Sequence, residues 1–236
     1  IVQFNEKTGT WPLVAGRDYA FCLYREFAPN VSSWTFAFYK GADSIYSDVG
    51  TYAWYHDPVT YVTGRGVMKG YGGTSLFGAA DNIQRQDFVV ILARLAGVDL
   101  NSYVSSGKYS FADVPSGAYY EKAIMWAADV GITTGYAGGT VFGVGDVITR
   151  EQLVTFLYRY AKYANGGEAP EVSADAADKA AAYADFAAVT DYAQEAVIWA
   201  LDNGVIKGQG GTNIAPAGNA LRCEVAQIIY NLIGVL

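Results

Sequence analysis

The stretch "GITTGYAGGTVFGVGDVITREQ", Gly131 to Gln152, runs a glycine-rich loop into an arginine that opens an apolar-periodic segment. A phosphate cradle, an ordinary turn and one copy of a repeat all fit that description, and comparing the chain with itself decides among them. "GVMKGYGGTSLFGAADNIQRQ" begins at Gly66 and "GVIKGQGGTNIAPAGNALRCE" at Gly204 with the same pattern. In each copy an aromatic precedes the first glycine by twelve residues, as Trp54, Tyr119 and Tyr192, and a second by five, as Tyr61, Trp126 and Trp199. An arginine follows that glycine by 19, 19 and 18 residues, at Arg85, Arg150 and Arg222, and an apolar stripe follows each arginine.

Each copy therefore reads as helix, glycine loop, helix. "AYYEKAIMWAADVG" brings Tyr119, Ile124 and Ala127 near one face at helical spacing and stops at Gly131, a residue suited to ending a helix. "ITREQLVTFLYRYAKY" restarts with Thr149 as N-cap and Gln152 three residues on, followed by Leu153, Phe156, Leu157 and Tyr160 on one stripe. One such pair of helices cannot bury its apolar face alone, so the three copies are expected to pack on one another. The fold class is mainly α: a pseudo-threefold bundle of three helix-loop-helix repeats. It is preceded by a β-rich segment at 1–45, where "DYAFCLYREF" and "SSWTFAFYKG" are bounded by turn residues, read either as the tail of an upstream domain or as an edge that covers the helical part. The repeats are placed at 46–107, 108–164 and 185–236, with 165–184 as a linker that is either an alanine-rich helix or a flexible insert.

Composition narrows the function. With 236 residues, 52% of them hydrophobic, the chain can bury a substantial core. A net charge of -7 argues against nucleic acid, which needs a basic footprint, although single arginine sites for smaller anions remain compatible with it. No apolar run approaches the roughly 18 residues of a membrane span, so insertion into a membrane is not expected. Cys22 and Cys223 are the two cysteines; whether they pair is a question of geometry. The start at Ile1, without an initiator methionine or a leader, leads us to expect a mature or trimmed piece. No catalytic constellation is present around His56, the single histidine, and neither nucleotide-loop nor calcium-loop spacing occurs, so neither enzymatic activity nor a cofactor or metal is expected.

The landmarks carry a specific resemblance. From about Tyr46 to Leu236 the chain resembles three tandem S-layer homology modules, which open on Phe-x-Asp-Val and start their second helix with Thr-Arg-Ala-Glu. The opening is matched by "YSDV" at Tyr46, "FADV" at Phe111 and "FAAV" at Phe186, and the helix start by "QRQD" at Gln84, "TREQ" at Thr149 and "LRCE" at Leu221.

The resemblance implies non-covalent anchoring of a secreted protein to the bacterial envelope, outside the cell. The ligand would be an anionic cell-wall polysaccharide, often one bearing ketal-linked pyruvate, held in grooves between repeats. It assigns the groove arginines to Arg85, Arg150 and Arg222, the loop glycines to Gly70, Gly135 and Gly208, and the opening acids to Asp48 and Asp113, with Ala188 in that place in the third copy. A guanidinium can hold a sugar-borne carboxylate with two charge-assisted hydrogen bonds, and a helix N-terminus adds free amides. Loop glycines would let ligand oxygens approach the backbone. Trp54, Tyr119 and Tyr192 fit either a groove mouth or the core, whereas Tyr61, Trp126 and Trp199 fit the core. Asp48 and Asp113 fit helix capping as well as ligand contact. The second copy, which keeps Asp113, Thr149 and Arg150, is expected to form the best groove. Two other readings stand beside anchoring: a surface-layer or appendage scaffold that self-associates or binds a surface protein, and the anchoring tail of an exported enzyme.

Overall fold

The computed structural model describes residues 45–236; the segment expected to form strands, and Cys22 within it, lies outside the described residues. Among the described residues the regular structure is carried by α1 (His56–Gly64), α2 (Arg85–Leu95), α3 (Glu121–Asp129), α4 (Arg150–Ala164), α5 (Ala176–Ala181), α6 (Asp191–Asp202) and α7 (Arg222–Ile233). The helix-loop-helix unit occurs three times, as α1 with α2, α3 with α4, and α6 with α7. The insert before the third unit is in part an alanine-rich helix, α5, which buries Ala176 and Ala180.

Local chemistry sets the helix ends. Thr149 and Gln152 form a full capping box at the start of α4, each side chain accepting the other's backbone N–H. At α7 half of that box survives: Leu221 has no side-chain oxygen to offer, but Glu224 Oε2 accepts from Leu221 N–H at 3.0 Å. The chain leaves α3 through Gly131 at φ 81°, and Ile132 N–H returns to Ala127 O at 2.8 Å, which satisfies a helix-end carbonyl.

The repeats pack as a closed ring. The first helix of each unit lies against the second helix of a neighbouring unit: α3 on α2, α6 on α4 and α1 on α7. Phe88, Leu92, Leu153, Leu157, Val225 and Ile229 fill the core. Trp126 and Trp199 are buried with them as expected, whereas Tyr61 is half-buried and meets the Tyr230 ring edge-on, with centroids 5.0 Å apart. Three backbone bonds join the repeats where the second helices begin. Ile83 N–H donates to Ala220 O at 3.0 Å, Ala220 N–H to Ile148 O at 3.3 Å, and Ile148 N–H to Ile83 O at 3.2 Å. This triangle brings the N-termini of α2, α4 and α7 together around the pseudo-threefold axis.

The connectors are tied to the ends of the outer helices. Asp129, the last residue of α3, accepts from Tyr103 Oη at 2.5 Å and Ser106 N–H at 2.8 Å. Asp202, the last residue of α6, accepts from the amide and hydroxyl of Ser173, both at 2.6 Å. Cys223 is buried near the start of α7, and that burial pushes its thiol up to about 11.

Candidate functional site

The loop of each repeat is built around one carboxylate. Asp48 accepts from the amides of Phe77, Gly78 and Ala79 at 2.7, 2.7 and 2.9 Å. Asp113 accepts from those of Phe142, Gly143 and Val144 at 2.7, 2.7 and 2.8 Å. In the third repeat Asp185 does the same with Ile214 and Ala215, both at 2.7 Å. The third copy therefore keeps its acid, and its opening is Tyr183-Ala184-Asp185, not the Phe186–Val189 segment that the sequence suggests. Its third bond is missing because Pro216 has no N–H.

The expected ligand-facing glycines also belong to this scaffold. A Cβ on Gly70 would lie 2.3 Å from the Tyr46 ring, on Gly135 2.6 Å from Phe111, and on Gly208 2.5 Å from Tyr183. The close approach that requires glycine is made by each repeat's own opening aromatic together with a loop carbonyl, that of Leu76, Val141 or Asn213. Gly70 N–H is itself spent on Tyr46 Oη at 3.0 Å.

These carboxylates make stability depend on pH. Burial pushes the Asp113 carboxyl up, but three amides outweigh it and leave it below the ordinary 3.8; Asp48 and Asp185 are lowered by the same balance. A depressed folded value contributes stability that is complete above the ordinary range and lost as pH falls through the folded value. Urea unfolding is therefore expected to show level stability above about pH 5 and a steep decline below about pH 4. The triple variant Asp48→Asn, Asp113→Asn, Asp185→Asn should flatten that decline, and an unchanged slope would refute the assignment.

The arginines interlock the repeats in a cycle. Arg85 Nε donates to Phe142 O of the second repeat at 3.0 Å, Arg150 Nε to Ile214 O of the third at 2.9 Å, and Arg222 Nε to Phe77 O of the first at 2.9 Å. All three are almost fully buried, at 3%, 6% and 7% exposure. Each groove consequently takes its arginine from one repeat and its loop from the next, while a third contributes an aromatic at the mouth. Trp54 lies with Arg150 and Gly208. Tyr119 bonds Asp87 of α2, whose own loop at Lys69 receives Arg222. Tyr192 donates its hydroxyl to Glu151 Oε1 of α4 at 3.3 Å and acts electrostatically on both Arg85 and Arg159. Trp54, Tyr119 and Tyr192 are all exposed, so none of the three belongs to the core.

The elements of the second copy, expected to form the best groove, are divided between two grooves. Asp113 and Gly135 shape the Tyr192 groove, whereas Arg150 serves the Trp54 groove, so an intact repeat does not make an intact groove. The grooves differ chiefly at two positions on the second helix that the sequence reading passed over. The third helical residue is Gln152 in the Tyr192 groove, Glu224 in the Trp54 groove and Asp87 in the Tyr119 groove. Seven residues further on stand Arg159, Asn231 and Arg94 respectively. The fourth letters of "QRQD", "TREQ" and "LRCE" carry the first of these differences in plain view.

The arginines differ accordingly. Arg150 donates from Nη2 to Lys207 O at 3.4 Å and its Nη1 lies 4.0 Å from Glu224 Oε1. Arg222 donates from Nη2 to Lys69 O at 2.7 Å. Arg85 has no hydrogen-bond partner for either terminal nitrogen among the described residues. Its guanidinium carbon lies 4.3 Å from the Tyr136 ring centre and 4.7 Å from that of Phe156. Burial pulls the Arg85 guanidinium below its ordinary value; Tyr136, Asp146 and Tyr192 act against that, and Arg159 adds to it. Half-buried Arg159 donates to Ile132 O at 3.2 Å and is lowered by burial too.

Among the described residues no group of three or more His, Cys, Asp or Glu is placed to hold a metal, and no helix is long and apolar enough to cross a membrane. A family model, the S-layer homology domain, matches the chain at residues 45–89, 110–154 and 182–226. The third match begins beside Tyr183, in agreement with the role of Asp185. An amylopullulanase of Thermoanaerobacterium thermosulfurigenes is 27% identical over 99% of this chain and 12% of its own length. An exoglucanase, XynX, of Acetivibrio thermocellus is 27% identical over 76% of the chain and 15% of its own length. A cellulosome-anchoring protein of the same species is 33% identical over 39% of the chain and 20% of its own length. The chain thus spans a fifth or less of each of these relatives.

Proposed function

The chain belongs to the S-layer homology family, whose modules anchor proteins to the cell wall, and from that premise we propose that it holds its ligand, an acidic cell-wall polysaccharide, chiefly in the Tyr192 groove. The supporting observation is Arg85. A desolvated guanidinium with two uncommitted nitrogens, a second arginine nearby and the neutral Gln152 on the facing helix favours a carboxylate more than the other two grooves do. A carboxylate borne on a sugar, such as a ketal-linked pyruvate, would take both Nη atoms of Arg85, and Tyr136 and Tyr192 would flank the ring. The module's own chemistry is binding, not catalysis. The three glycan-related proteins similar to it support the further reading that such a module fixes an attached polysaccharide-degrading cargo at the bacterial surface.

The test is sedimentation with purified sacculi that retain their acidic glycopolymer, set against sacculi from which the ketal pyruvate has been removed by mild acid. Arg85→Lys keeps the charge but loses the planar fork, and it is expected to weaken retention about tenfold, as is Arg159→Gln. The thermal melt reports whether either variant is folded. Equal retention on stripped sacculi, or full retention by both folded variants, would overturn the reading.

A further inference from the structure

The Trp54 groove encloses a cavity of ≈ 330 Å³, and its chemistry is unlike that around Arg85. Its arginine is already committed. Arg150 spends Nε on Ile214 O and Nη2 on Lys207 O, and its Nη1 faces Glu224 at 4.0 Å. Glu224 is itself fixed, since Oε2 accepts from Leu221 N–H and Oε1 from Gln209 Nε2 at 3.1 Å. Asp185 acts on Arg150 as Asp146 acts on Arg85, so the difference between the two grooves lies in Glu224. An incoming anion would meet Glu224 at the place where a guanidinium would have to receive it. Exposed Lys207 on the rim restores a cation, but one that is free to swing into solvent.

What remains along this groove is a set of side-chain amides and one acceptor. Gln227 Nε2 donates to Asn231 Oδ1 at 2.8 Å, and Asn231 Nδ2 to Val205 O at 3.1 Å, so both amides are held in place beside Glu224. Amides that both donate and accept, together with a fixed carboxylate acceptor, match hydroxyl groups, each of which is donor and acceptor at once. The mouth is occupied by Trp54, 60% exposed. Its counterparts have their hydroxyls tied down, Tyr119 to Asp87 and Tyr192 to Glu151, whereas the indole face is a broad apolar surface against which the carbon face of a sugar can lie. The volume is at the lower end of the range for small-ligand sites.

We propose that the Trp54 groove is a subsite for an uncharged sugar residue, distinct in chemistry from the acid-binding Tyr192 groove, so that one molecule reads a neutral and an acidic residue of the same polysaccharide. This rests on the polysaccharide-binding reading above, and it assigns Trp54, Gln227, Asn231 and Glu224 to the neutral residue.

Two-dimensional ¹H–¹⁵N NMR of the whole chain separates the two ideas, with the Trp54 indole N–H identified by its loss in Trp54→Phe. The probes are a panel of uncharged methyl glycosides, of glucose, galactose, mannose and their N-acetylated amines, and glucuronic acid as the acidic sugar. At least one uncharged glycoside is expected to shift the Trp54 indole, and glucuronate is expected to leave it in place while shifting the Arg85 Nε–H. Glu224→Gln keeps one oxygen to accept from Leu221 N–H and presents an NH2 that the Gln209 side chain can meet only by turning its own amide over; it removes the charge, and should strengthen glucuronate binding at Trp54 about tenfold. Gln152→Glu, the mirror change, should weaken glucuronate at Arg85 by a similar factor. If no uncharged glycoside moves the Trp54 indole, or if glucuronate moves it in the unaltered chain as strongly as the best of them, the inference falls while the Arg85 reading stands. Glucuronate that fails at Arg85 while an uncharged glycoside shifts Trp54 would have the opposite meaning: the acidic-ligand reading falls and the neutral subsite stands.

Discussion

Replacing Asp113 with alanine is expected to lower the free energy of unfolding by about 5 kcal/mol, because three backbone N–H groups lose a charged acceptor and each such bond is worth roughly 1.5–3 kcal/mol. Asp185→Ala should cost less, about 3 kcal/mol, since Pro216 leaves only two amides to orphan. Urea titrations compared at constant slope give both numbers. A loss under about 2 kcal/mol for Asp113→Ala, or a larger loss at Asp185, would show that the carboxylates are not what holds the loops. Asn at position 113 retains one side-chain oxygen and should recover part of the loss.

The second large effect concerns the middle one of the three donors to Asp113. Gly143→Ala is expected to destabilise by about 3 kcal/mol, from left-handed backbone strain and overpacking together. The backbone there is at φ 93°, and an added Cβ would come within 2.6 Å of the Tyr136 ring and 2.7 Å of Asp146 Oδ2. The third repeat shows how that cost is avoided. Ala215 occupies the corresponding place at φ 53°, and the two groups that would obstruct it are replaced by Gln209 and Gly218. Steric relief accounts for the tolerated Cβ, but not for the dihedral strain, so Ala215→Gly should stabilise by up to about 1 kcal/mol. If Gly143→Ala proves as mild as Ala215→Gly, neither strain nor crowding matters at this turn.

Much of this was legible in the repeats themselves. The three helix pairs, the capping box of Thr149 with Gln152 and the burial of Trp126 and Trp199 follow from spacing and apolar periodicity. The third opening was misplaced by three residues because Phe186 and Val189 imitate the expected ends of the signature, and an extra residue separates Asp185 from Tyr192. What linear spacing could not carry was the cyclic exchange of side chains. Arg85, Arg150 and Arg222 are identical letters in one register, yet each is inserted into a different loop, so their surroundings depend on residues far away in sequence. Glu224 is already legible as the last letter of "LRCE", whereas Arg159 stands out only once the second helices are aligned on their arginines.

The backbone triangle of Ile83, Ile148 and Ala220 bears on how this protein comes into being. A row of stacked modules can fold from one end and lose a terminal unit while the others survive. A ring has no terminal unit. Arg222 reaches Lys69 and Phe77 across 153 and 145 residues, so the first loop is finished only after the last helix has been made. The chain should therefore emerge from synthesis as an unfinished precursor, fold late and slowly for a helical protein, and unfold in a single step. Removing any one repeat would leave not two working modules but an open chain with its anchoring surfaces undone.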